Sequence, residues 1–149
     1  MKTPAKVAIV TLVVGIAGFV TEPNGPLGTF WLPDTSFPKP EGIQLALFMI
    51  LGAVEALALG LGASFLLFGG STIKAGAGVS ESLASAARLS IAWILMNWWA
   101  HDSFHQHIGM NLTGLLGIEY GFHFTLIISG IVLARFFLAL SRGPTAAAA

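Results

Sequence analysis

No cysteine occurs among the 149 residues, so disulfide frameworks, thiolate metal cages and CxxC redox pairs are excluded. Any metal would have to bind imidazole, carboxylate or thioether. Charge is also scarce: seven basic and seven acidic side chains, 9 % of the chain, cancel to zero net charge. Without a basic run there is no electrostatic footprint for nucleic acid, and that partner class is set aside.

Apolar residues make up 55 % of the chain, with a mean hydropathy of +0.82, which is outside the range of water-soluble domains. Such a chain belongs in a bilayer, where each span satisfies its own backbone hydrogen bonds as a helix. Four apolar runs, at about residues 5–20, 43–68, 84–100 and 122–140, approach the roughly 20 residues a crossing needs. With their polar ends included, the third and fourth helices are predicted over 84–108 and 119–140. The fold class predicted is all-α: a single transmembrane domain, 1–149, built as a four-helix bundle with a proline- and glycine-rich outer loop between helices 1 and 2. The opening MKTPAKVAIVTLVVGIAGFV has the lysine-then-apolar layout of a signal peptide. The segment is nevertheless read as a retained first span, ending before Thr21-Glu22-Pro23.

Lys2, Lys6, Lys74, Arg88, Arg135 and Arg142 fall on one side of these spans and Lys39 alone on the other, which predicts cytoplasmic N and C termini. The opposite side collects Glu22, Asp34, Glu41, Asp102 and Glu119, with Trp31, Trp98, Trp99 and Tyr120 as an interfacial belt. The expected location is a bacterial or archaeal inner membrane, with that side facing the periplasm or the exterior. The first loop carries Leu27, Phe30, Trp31, Leu32 and Phe37 among its prolines and glycines, so it is expected to fold back over the outer mouth of the bundle or to dock a partner. The loop GGSTIKAGAGVSES reads as a flexible linker, and the tail GPTAAAA is set apart from the fold. Ser80 or Ser82 would cap the third helix, with Ser82 favoured by the alanines that follow it.

In the second helix Gly52, Ala56, Gly60 and Ser64 form a stripe of small residues, a helix-packing signal that carries no chemistry of its own. Glu55 differs, because it lies about 18 Å along the helix, near the bilayer centre, where a carboxylate is costly and marks a polar path or binding site.

The stretch NWWAHDSFHQH, 97–107, gathers three of the four histidines. His101 and His105 are four apart and share a helical face if the third helix runs on past Trp99. Glu119 and His123 repeat the spacing at the head of the fourth helix. Two imidazoles from one helix and a carboxylate plus an imidazole from its neighbour fit a transition-metal site of His101, His105, Glu119 and His123. Asn97, Asp102 and His107 would support it from behind, and Trp98, Trp99, Phe104 and Tyr120 would wall it. Zinc, iron or copper suits such nitrogen and oxygen ligands, and a haem held between His101 or His105 and His123 is the rival. The HDSFH string resembles the HxxxH strings of membrane di-iron hydroxylases and desaturases, which use more histidines and hold them on the cytoplasmic side. Four spans with an acid in the second resemble small quinone-linked membrane subunits. Neither resemblance supplies a residue role.

Three functions follow as expectations. The first is an outward-facing metal site, redox or hydrolytic toward an apolar substrate arriving from membrane lipid. The second is a non-catalytic accessory subunit of a homo-oligomer or larger membrane complex. The third is a b-haem or quinone-linked electron carrier.

Overall fold

Helix α1 spans Thr3–Thr21, with Pro4 in the first turn, where its missing N–H removes no helical bond. It ends where Glu22-Pro23 follows, because the residue before a proline is biased away from helical backbone. The computed structural model describes residues 3–36, 38–71, 73 and 79–142; Lys2, Phe37, Lys74 and the tail GPTAAAA lie outside them. Helix α2 runs Gly42–Phe68 and stops at Gly69-Gly70, and α3 runs Glu81–Ile108. After Gly109, at φ +60°, Asn111 caps the short helix α4, Leu112–Ile118, by accepting from the Gly114 N–H at 2.9 Å. A π-helical turn at Glu119–His123 leads into α5, Phe124–Ser141. The described elements are all helical.

Helix α3 therefore continues unbroken through His105, the condition on which the shared histidine face rested. Its cap corrects the sequence reading: Ser80, not Ser82, is the N-cap and accepts from the Leu83 N–H at 3.3 Å. The two hydroxyls lie 3.0 Å apart. Counting the alanines missed that Ser80 is the residue holding extended backbone, ψ 153°, which an N-cap requires.

Packing runs from each long helix to the next, α1 on α2, α2 on α3 and α3 on α5. The small-residue stripe of α2 is buried against α1 in antiparallel register. Gly15 would place a methyl 3.2 Å from the Ala56 carbonyl, and a methyl at Gly60 would strike the Thr11 carbonyl. Thr11 then donates to the Ser64 hydroxyl at 3.0 Å inside this contact. Between α3 and α5 a small apolar core forms from Ala84, Ala87 and Phe136, with Val79.

Among the described residues, three helical stretches are long and apolar enough to cross a membrane: Thr3–Thr21, Gly42–Phe68 and Leu112–Ser141, the last joining α4, the π turn and α5. Only 17, 22 and 11 % of their most apolar windows is buried inside the protein. Ile9, Val13, Ile16, Leu47, Ile127 and Ile131 face outward, far more apolar surface than a water-facing monomer leaves bare. Helix α3 was expected as a further span but is not among the three. It is long enough, yet Glu81, Arg88, Asn97, Asp102 and three histidines make it too polar.

The loop after α1 folds back on the end of α3. Trp31 meets Trp99 and Phe104 edge to face, each at 5.4 Å between ring centres. The Asp34 N–H donates to the Gln106 carbonyl at 3.0 Å, and His107 Nδ1 bonds the Trp31 carbonyl. Leu27, Phe30 and Leu32 stay exposed. Next to Trp31, Leu32 takes left-handed backbone, φ 47°, a conformation seldom held by a branched apolar residue.

Candidate metal centre

His101 and His105 stand one turn apart near the end of α3, and their Nε2 atoms face each other at 3.2 Å. The hairpin through Gly109 and α4 returns the chain so that Glu119 Oε1 lies 3.5 Å from His105 Nε2. These three ligand atoms fall within 4.8 Å of one another, the one such grouping found among the described residues. A tetrahedral ion with ligands at 2.0–2.1 Å has ligand-to-ligand edges of about 3.3–3.4 Å. The two edges at His105, 3.2 and 3.5 Å, bracket that value. His123 approaches from the other side of the carboxylate, with Nδ1 2.7 Å from Glu119 Oε2, and its ring centre is 5.4 Å from that of His101. It holds Glu119 in place through the oxygen that the His105 contact leaves free.

The π turn makes this possible. Such a turn carries wider hydrogen-bond closure than the α-helix and recurs at functional sites. Here it begins at Glu119 and ends at His123, while just beyond it Thr125 accepts from the Trp93 indole at 2.9 Å and locks α5 to α3.

The site is open. The side chain of His105 is 25 % exposed, and those of Glu119 and His123 are 46 % and 49 %. Phe122 lies edge-on to His101 at 5.3 Å, Trp98 flanks the same ring, and Phe104 tilts against Phe122. Of the expected wall, Trp98 and Phe104 are therefore at the site. Trp99 instead donates to the Gly18 carbonyl of α1 at 3.0 Å, and Tyr120 stacks on Phe124 at the surface.

The supporting residues divide in the same way. Asn97, one turn beneath His101, is 1 % exposed, with neither amide atom hydrogen-bonded. Asp102 accepts from Gln106 at 3.2 Å, a neighbour on its own helix. His107 belongs to the loop contact and sits beside Asp34, whose carboxyl is held below its ordinary range by Ser36 and by His107. Glu55 is on the α2 stripe that meets α3, seven residues before Gly62.

Glu22 was read only as part of the outer acidic belt, yet it is 4 % exposed. Burial, aided by the charge of Asp102, pushes its carboxyl up to about 7. The signal was present in the sequence: an acid directly after an apolar span, and a glycine, Gly52, at the end of the small stripe that could receive it. Compared with protein-family models, with curated proteins and with solved structures, the chain matches none of them.

Proposed function

We propose that this chain is an integral membrane protein of four antiparallel helices that holds one transition-metal ion on His101, His105 and Glu119, with His123 fixing the carboxylate. The observation that carries this reading is the convergence of three ligand atoms within 4.8 Å of one another, the two edges at His105 measuring 3.2 and 3.5 Å. Two imidazoles and a carboxylate suit zinc or non-haem iron, and three protein ligands leave a position free for water or substrate. Such a centre supplies an activated water or an oxidising metal. The aromatic rim of Phe122, Trp98 and Phe104 favours an apolar substrate arriving from lipid.

Orientation follows from charge. Antiparallel packing gathers Lys6, Arg88, Arg135 and Arg142 at the end away from the histidines, which supports cytoplasmic termini and an outward-facing site. Metal analysis and an optical spectrum on untagged protein in mild detergent test the reading. About one ion per chain is expected, lost in His105→Ala because the ligand set is incomplete. Unchanged stoichiometry in that variant would sink the assignment. A haem spectrum would move the chain to the electron carriers, and a metal-free protein in a large native assembly would make it an accessory subunit.

A further inference from the structure

A second group of acids lies where α1 ends against α2 and α3, with Asp102 next to His101 in the chain. Glu22 follows the last turn of α1, and its carboxylate is lodged in the notch left by Gly52, where any methyl would overlap it. Glu55 stands one turn along α2 from Gly52. Asp102 stands one turn along α3 from Trp99, the residue bonded to Gly18 of α1. The three carboxylates are close enough to repel one another. Glu22 Oε1 is buried with no hydrogen-bond partner among the described residues. Among the described residues no basic side chain pairs with any of the three, since the ion pairs found are those of Glu119 with His105 and His123.

Glu22 is buried, while Glu55 and Asp102 are half-buried; a buried acid without a cation is strongly disfavoured as an anion, so something positive must accompany it. The ligand atoms of these acids do not converge as those of His101, His105 and Glu119 do. That spacing suits protons held on separate carboxyls better than one shared metal ion. Above them a pocket of about 390 Å³ opens to the outer surface, lined by Pro23, Pro33, Asp34, Lys39, Leu45 and Gln106. Its Gln106 amide donates to Asp102 at 3.2 Å, which connects pocket to acids. Beyond Glu55 the route stops, because Gly62 is packed tightly against Ala92 and Met96.

We propose that Glu22 and Glu55 form a proton-binding site, reached from the outer pocket beside Gln106 and sealed on the far side by the contact of Gly62 with Met96. It is the outer half of a path, ending about 20 Å along α2. The upward displacement of the Glu22 carboxyl by burial is in keeping with this. The other titratable or charged groups on the elements around it are Asp102 on α3, with His101 on the adjoining face, His105 and His107 toward the end of that helix and Glu81 and Arg88 near its start, and Asp34, Lys39 and Glu41 in the loop; α1 adds Lys6 at its distant end.

Infrared spectroscopy of the full chain in lipid vesicles tests this through the carbonyl stretch of protonated carboxylic acid. At neutral pH the band is expected in the parent protein, shifting promptly in D₂O, weakened in both Glu22→Gln and Glu55→Gln and intact in His105→Ala. Glutamine has the shape of the neutral acid, so both variants keep the packing. Gln106→Leu should slow the D₂O shift about tenfold, the worth of one hydrogen bond in the path. No such band at neutral pH, or a band that survives both glutamine variants, overturns the proposal. A band erased by millimolar Ca²⁺ or Na⁺ also overturns it and gives the site to a metal cation. Retention in His105→Ala separates this outcome from failure of the metal centre.

Discussion

At the scale of single residues, the two oxygens of Glu119 divide the work, one toward His105 and one toward His123. His123→Ala should leave the ion bound at saturation but weaken its affinity roughly 10–100-fold, the usual cost of losing a group that orients a ligand; competition with a chelator measures it. Glu22 gives a second expectation, with a definite sign. Its carboxyl rises from 4.5 to about 7 on folding, so the folded protein holds a proton that the unfolded chain releases. The contribution of Glu22 to stability should therefore be greatest below about pH 4.5, decline as pH rises toward 7 and level off above it. Glu22→Gln should flatten that decline in thermal unfolding across the same range. The pairs His101/His105 and Glu119/His123 were legible because helical spacing of four places side chains together. The roles of His107 and Trp99 were not, since each is decided by a partner from distant sequence, the Trp31 carbonyl and the Gly18 carbonyl.

Between elements, close approach is set by small residues. Gly60→Ala puts a methyl against the Thr11 backbone carbonyl, and because backbone cannot swing aside the contact between α1 and α2 should lose about 1–3 kcal/mol, read as a lowered unfolding midpoint in detergent. The loop after α1 should respond separately. His107→Ala removes its bond to Trp31 and should speed hydrogen exchange at the Asp34 amide, which is otherwise held by the Gln106 carbonyl, while leaving α1 and α2 unaffected. Helix positions were readable from apolar runs, to within two residues for α1 and α2. The start of the last helical stretch was not: Leu112–Ile118 lies behind a glycine-bearing turn and joins α5 through a π turn, which no periodicity of 3.6 anticipates.

For the whole molecule, the absence of cysteine becomes an experimental convenience, because a single introduced thiol reports its side of the membrane without background. Asn24→Cys should react with a membrane-impermeant reagent added outside intact cells, and Arg142→Cys only after lysis; the reverse pattern would invert the protein. The π turn has a further consequence at this scale. Below it, α5 is phased by Thr125 against Trp93; above it, the chain is phased by Glu119 against His105. One continuous α-helix could not keep both alignments, since each residue advances the helix by about 100°. Deleting one residue within 119–123 should therefore force a choice. The helix would either stay seated on α3 and swing its carboxylate away from the imidazoles, or keep the carboxylate and unseat. The widened turn works as an adjustable coupling, separating the rotation that packs the protein from the rotation that arms it.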